Sequence, residues 1–266
     1  MLVRLYKRFV EALPENNQIE RIWILAKTDF KLRYYGTFLG LFWALINPLF
    51  RLSVYYIVFS LLMAKKIPNY GLYIFSGLLI WLFFQESTKR GMKVLKSKRY
   101  LLENIEFNKL DLFISSTLTS TIGLIFNTII YLIVSLLLGI FPNVNILYLP
   151  LLILNVFILV FAISLILSTI HIFMQDVSQV WEMILVAMFW INPIFYAKSA
   201  LVFDKLPVLL YLNPIAGIIV NTRNILLYGQ PPEWPLLLFD FAYASVFLLI
   251  GLTFFRFFFN KAAEKF

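Results

Sequence analysis

The sequence predicts an all-α polytopic membrane protein with six transmembrane helices, an N-terminal amphipathic interface helix, and an extracytoplasmic re-entrant helical hairpin between spans five and six. Three observations lead there. Of the 266 residues, 61% are hydrophobic and 14% charged, with a mean hydropathy of +0.85, an apolar share well above that of a soluble domain. The apolar residues form long runs with short polar connections, which leaves room for about six spans of roughly 20 residues each and none for a separate soluble domain. Lys and Arg divide unevenly between the two ends of those runs, 17 against 5 with Arg51 in between, and the richer side is the cytoplasmic one.

The basic stretch from Lys89 to Lys109 anchors this topology. Lys89, Arg90, Lys93, Lys96, Lys98, Arg99 and Lys109 face only Glu103 and Glu106, a charge pattern retained on the cytoplasmic side during insertion. The stretch also holds Met92, Val94, Leu95, Tyr100, Leu101 and Leu102, enough for a short surface helix that docks its apolar side onto a soluble partner. The +9 net charge thus sorts by membrane side, which points to anionic head groups and a cytoplasmic partner rather than to nucleic acid.

Residues 1–17 carry charges but no apolar run and no small-residue cleavage site, so no signal peptide is expected. Asn17 and Glu20 form a capping-box start for an amphipathic helix over residues 17–35. Ile19, Ile22, Trp23, Ala26 and Phe30 share one face, opposite Glu20, Arg21, Lys27 and Lys31. Such a helix lies in the head-group plane; the plainer alternative is a solvated helix leading into the first span.

That span covers about 38–63, with a bend expected at Asn47-Pro48 where the amide is missing. Arg51 follows roughly 18 Å from the cytoplasmic end, too deep for easy snorkelling, which predicts a cavity, a polar partner or a path for an anionic substrate. Gly36 and Gly40 make a GxxxG spacing, a pattern of close helix packing. Further spans are expected over 71–85, 110–141, 147–173 and 180–197. The run over 110–141 is long enough to require tilt. Residues 206–212 and 215–220 are apolar but too short to cross, and Pro207 and Asn213-Pro214 break them, so they read as a re-entrant hairpin that protein or water must surround. A last span over 235–259 leaves both termini in the cytoplasm.

Catalytic and cofactor motifs are absent. No P-loop, HExxH or GxSxG pattern occurs, and His171 is the sole histidine, which with no cysteine leaves no zinc set. The chain is therefore not expected to be an enzyme. Its 28 Phe, 14 Tyr and 6 Trp suit an interfacial belt and lipid-facing packing. Aromatic faces also stack on sugar C–H faces, and Tyr55, Tyr56 and Phe59 in the first span with Phe189, Trp190 and Tyr196 in the fifth are the residues expected, with Arg51, along a translocation path.

The stretch LAKTDFKLRYYGTFLGLFWALINPLF at 25–50 resembles the entry segment of ABC-2 type permeases that export polysaccharides, with Asp29, Lys31, Arg33, Tyr34, Gly40, Trp43 and Pro48 in the expected order. GLLIWLFF at 77–84, QDV at 175–177, NPIFY at 192–196 and YLNP at 211–214, followed by Arg223, continue the resemblance over nearly the whole chain. It implies one transmembrane domain over 1–266, made of a cytoplasmic segment to 35, a six-span core over 36–259 and a tail. It further implies a homodimeric pore in a bacterial inner membrane that moves a lipid-linked polysaccharide of the O-antigen type. Two copies of a separate ATPase would bind the ATP and magnesium, with no cofactor in this chain. The amphipathic helix, the basic loop and the loop at Asp176 would meet that ATPase through Lys31, Arg33, Lys96, Lys98, Arg99 and Asp176. Asn192, Pro193, Asn213, Pro214 and Arg223 would form an outer gate with the hairpin over 198–227. The chain departs from the family pattern at Gln175, where Arg is usual, and at Phe107-Asn108, where Phe-Pro is usual. Teichoic-acid or small-molecule export would use the same fold, and an ATPase-independent channel or ion-driven transporter is the rival of another class.

Overall fold

The computed structural model describes residues 17–34, 40, 42–63, 67–104, 107–196 and 208–263. The expectations for residues 1–16, for Gly36, for Glu106, for the hairpin's entry at 197–207 and for the last three residues lie outside these, as do residues 64–66 between the first two expected spans. All regular structure within them is helical. We number the helices α1 (Gln18–Tyr34), α2 (Phe42–Met63), α3 (Tyr70–Met92), α4 (Val94–Ser97), α5 (Arg99–Asn104), α6 (Leu110–Leu137), α7 (Leu149–Phe173), α8 (Val177–Ile191), α9 (Val208–Leu212), α10 (Ala216–Leu226) and α11 (Trp234–Ala263). A 3-10 turn, Val144–Tyr148, leads into α7.

By length and composition, three helical segments among the described residues can cross a membrane: Leu110–Leu137, Val144–Phe173 and Trp234–Phe259. The 28 residues of the first reach about 42 Å at 1.5 Å per residue, longer than a hydrocarbon core of roughly 30 Å. The other apolar elements are altered by their neighbours. α3 runs through Lys89 and Arg90 to Met92 rather than stopping near Gln85, because its polar C-terminal turns stay packed: Ser87, Thr88, Gly91 and Met92 are all buried. α8 begins at Val177 and ends at Ile191, not near Ala197. Asn192 takes an extended conformation, φ −70° and ψ 147°, as the clash of the Pro193 ring with the preceding residue demands. Gly40 has φ +49°, and a Cβ there would meet nothing within 4 Å, so it makes a turn and not a packing notch.

α3 lies at the centre, touching α2, α6, α7, α8 and α10. Its aromatic and aliphatic side chains, from Tyr70 to Phe84, supply much of the principal core with Val156, Leu159 and Val160 of α7 and Ile218 and Ile219 of α10. α7 packs along α11 so closely that a Cβ on Gly251 would lie 2.8 Å from the Ala162 carbonyl oxygen. α10, the second arm of the broken hairpin, is 11 residues long and buried over most of its length. At about 16 Å it cannot cross. The far end of the hairpin is held where Asn143 and Asn145, before and within the 3-10 turn, both donate to the Gly229 carbonyl, Asn145 at 2.7 Å.

Two expectations about amphipathic faces need correction. The apolar residues of the basic stretch do not wait for a soluble partner: Val94, Leu95 and Leu101 form a second core with Leu25, Leu112, Phe113, Leu165 and Phe255 of the same chain. The expected apolar face of α1 is turned outward at Ile19, 81% exposed, and Trp23, 53% exposed. The buried face carries Arg21, Leu25 and Ala26. A charge decides this rotation, as the next section describes.

Candidate functional site

The end of the molecule that carries the basic stretch is assembled by ion pairs. Asp111, in the first turn of α6, is completely buried and receives Arg21 Nε at 2.9 Å, an Arg21 terminal nitrogen at 2.6 Å, and Gln18 Nε2 at 2.8 Å. A carboxylate this deep is tolerable only when paired and hydrogen-bonded, so Arg21 must face inward and the helix turns with it. Phe107, in the place of the usual Phe-Pro, lies beneath the guanidinium, 5.7 Å from ring centroid to Cζ. About two turns further along α1, Asp29 accepts from Lys98 Nζ at 2.6 Å. Near the C-terminal end Arg33 pairs with Glu86 of α3. α1 is therefore bolted to α6, to the segment between α4 and α5, and to α3.

Of the residues expected to meet an ATPase, Arg33 and Lys98 are engaged in these internal pairs, and Arg99 pairs with Glu103 at 2.6 Å. Lys31, Lys96 and Asp176 are exposed. Asp176 stands with Met174 and Gln175 at the exposed tip between α7 and α8. Lys89, at the end of α3, reaches Glu182 of α8 at 2.8 Å.

At the opposite end the two Asn-Pro motifs meet. Asn213 Nδ2 donates to Asn192 Oδ1 at 3.1 Å, Asn192 Nδ2 donates to the Met188 carbonyl at 2.7 Å, and the Ile215 amide donates to Asn213 Oδ1 at 3.1 Å. The Asn213 side chain caps the amide that follows its proline, and the Asn192 side chain adds a second donor to a carbonyl that already accepts the Asn192 amide. Arg223, buried on α10, closes the arrangement. It stacks on the Tyr73 ring at 3.5 Å and donates to Tyr73 Oη at 2.9 Å, the Pro193 carbonyl at 2.9 Å and the Ile194 carbonyl at 3.3 Å. Tyr73 in turn donates to the Tyr196 carbonyl at 2.5 Å and Tyr70 to that of Phe195 at 3.1 Å. The broken backbone after α8 is thus satisfied by α3 and α10 side chains. Asn192, Asn213 and Arg223 of the expected outer gate form one network, and Pro193 joins it through its carbonyl.

Between these ends the aromatic residues of α2 and α8 gather around Phe195, which is 0% exposed. Phe59 stacks on it at 4.4 Å, while Tyr55 at 5.2 Å and Phe189 at 5.3 Å meet it edge-on. Trp190 at 5.9 Å and Tyr196 at 6.3 Å complete the group. Tyr56 lies apart, against Gly71. Arg51 lines two cavities, one of about 270 Å³ between α1, α2, α3 and α6 and one of about 180 Å³ toward α8.

Sequence reasoning missed Asp111, Glu86, Tyr73 and Phe195. Asp111 carried a signal, an acid at the head of a long apolar run beside Lys109. Tyr73 and Phe195 carried none, since one more aromatic among 48 is not distinctive. No group of three or more metal-ligating side chains occurs among the described residues.

Long apolar helices around a helix that is itself wrapped in protein, with charged clamps at one end and a broken hairpin at the other, define a polytopic membrane protein of the transporter type. The chain belongs to the ABC-2 type transporter family, whose model matches residues 20–227. It is similar to two proteins of Klebsiella pneumoniae, each named O-antigen export system permease protein RfbA. One is 27% identical over 231 residues, covering 86% of this chain and 85% of the relative; the other is 24% identical over 230 residues, with the same coverage. The protein of that name from Myxococcus xanthus is 26% identical over 210 residues, covering 79% of this chain and 81% of its own length.

Proposed function

We propose that this chain is the permease subunit of an ATP-driven exporter of lipid-linked, O-antigen-like polysaccharide. Two copies form the pore in the inner membrane, and two copies of a nucleotide-binding subunit hold the ATP and magnesium. Each copy contributes six crossings, with the termini in the cytoplasm and the α9–α10 hairpin entering and leaving on the outer side. The similarity to three O-antigen permeases over 79–86% of the chain carries the reading. The clamped α1 gives it a mechanism: a push on α1 or on the tip at Asp176 reaches α6, α3 and the core, because a buried pair, a partly exposed pair and a second core join them. Coupling then needs only that the partner grip this surface differently in its two nucleotide states. The aromatic group around Phe195, with Arg51 and Tyr56, lines the path, and the Arg223 network opens at the outer mouth.

The test is purification of the full chain from its own host together with an assay of lipid-linked glycan at the cell surface after its deletion. A stoichiometric ATPase companion and loss of the surface glycan are expected. Surface glycan unchanged, or transport that persists without ATP, refutes the reading. Within the complex, Lys96→Glu is expected to uncouple ATP hydrolysis from export with the fold intact, since Lys96 is exposed. Lys98→Glu is expected to loosen α1 as well, since it breaks the pair with Asp29.

A further inference from the structure

The larger cavity at Arg51 is a polar and charged space between apolar helices. Its lining brings together Arg33, Glu86 and Arg51 with Asn127, Ser87 and Ser120, beside the apolar side chains of α3 and α6. Arg33 and Glu86 pair with each other at one end, so the second arginine leaves one positive charge uncompensated. Arg51 makes no ion pair or hydrogen bond among the described residues. Ser87 Oγ and Asn127 Oδ1 are buried without a hydrogen-bond partner. An unpaired guanidinium that is exposed and a buried hydroxyl without a partner, both beside apolar helices, favour an anion in this cavity. Gly123, also in the lining, keeps the wall thin where Arg33 lies against α6: a Cβ there would be 3.9 Å from an Arg33 terminal nitrogen.

We propose that this cavity binds the phosphate of an anionic lipid, with Arg51 as the cation that holds it. The guanidinium fork matches two phosphate oxygens, the Ser87 hydroxyl and the Asn127 amide nitrogen supply further donors, and the net charge of the lining balances one phosphodiester. Phe75, Leu79, Leu82 and Leu124 in the same wall suit the acyl chain, which leaves toward the bilayer where α2 and α6 meet only briefly. A soluble anion would have no use for that apolar wall. The site lies within one protomer and does not depend on what the chain exports.

The test is native mass spectrometry of the full chain released from phosphatidylcholine nanodiscs doped with phosphatidylglycerol. The wild-type chain is expected to retain phosphatidylglycerol in preference to phosphatidylcholine. Arg51→Gln is expected to reduce that retention at least tenfold, and Arg51→Lys to reduce it less, because the charge remains but the fork is lost. Asn127→Leu, which fills the cavity from α6, gives the same loss through a different residue should Arg51→Gln alter the fold, and the thermal unfolding midpoint of each variant identifies such damage. Equal retention by wild type and both variants overturns the proposal, as does no preference for the anionic lipid. Inorganic phosphate that displaces the lipid at equal concentration would assign the site to a soluble anion and overturn the lipid reading. Displacement by a polyprenyl diphosphate would support the phosphate site and assign its source to a lipid carrier.

Discussion

Removing one member of the Arg21–Asp111 pair should release α1 from the bundle, and the double replacement should restore it. The side chains are 7% and 0% exposed, and Asp111 receives three hydrogen bonds, two from Arg21 and one from Gln18. Stripping one partner from a buried pair costs about 3–5 kcal/mol, because the other charge is left buried and uncompensated. With about 1.4 kcal/mol per tenfold, Asp111→Leu should raise the undocked fraction of α1 by roughly two to three and a half orders of magnitude. Arg21→Met with Asp111→Leu removes both charges at similar volume, for which the expected change is close to zero or stabilising. Gln18 is exposed, so its amide can turn to water once its acceptor is gone. Hydrogen exchange of residues 18–34 in nanodiscs reads the difference directly: fast in the single variant, near wild type in the double. Exchange in Asp111→Leu within tenfold of wild type, or a double variant as open as the single, would refute the account of why α1 docks by its charged face.

Three further outcomes follow from the geometry. Arg223→Met should cost about 3 kcal/mol or more, since charged hydrogen bonds to four acceptors are lost, read as a lower thermal unfolding midpoint and as faster labelling of a cysteine placed at Phe195. Single replacements of Asn192 and Asn213 by Ala should be non-additive by about 1 kcal/mol in a double-mutant cycle on unfolding, the worth of the one bond between them; additive effects would separate the two motifs. Gly251→Ala should destabilise by about 1–3 kcal/mol, because the added methyl meets the Ala162 carbonyl and backbone cannot swing away, and the unfolding midpoint checks it.

Several parts of this fold were legible in the residues. Asn17 and Glu20 announce the start of α1, and the structure shows the Glu20 amide bonded to Asn17 Oδ1 at 3.2 Å. Pro214 marks the break within the hairpin, because a proline's constraint on its neighbour is local and does not depend on tertiary context; Pro193 carries the same constraint, yet the expected fifth span runs through it to 197, whereas α8 ends at Ile191. Facing and burial were less legible. Periodicity placed Arg21 with the polar side of α1, since nothing in residues 17–35 reveals that a carboxylate some 90 positions later will be buried beneath it. The end of α3 was set too early for the same reason: Lys89 and Arg90 look like loop residues until α7 and α8 are packed beside them. In the candidate site, Asn192, Asn213 and Arg223 were marked as a group, but the Asn213–Asn192 bond and the docking of Arg223 on Tyr73 are properties of the assembled bundle.

The wrapping of α3 has a bearing on how this protein tolerates its surroundings. Neighbouring helices of the same chain are, in effect, the liquid in which α3 is dissolved, so a thicker, thinner or more ordered bilayer exerts its first pull on α6, α7 and α11, whose apolar residues such as Ile129, Leu154 and Leu249 are exposed on the outside of the chain. The innermost rod would register such a change only second-hand, through the shells packed around it.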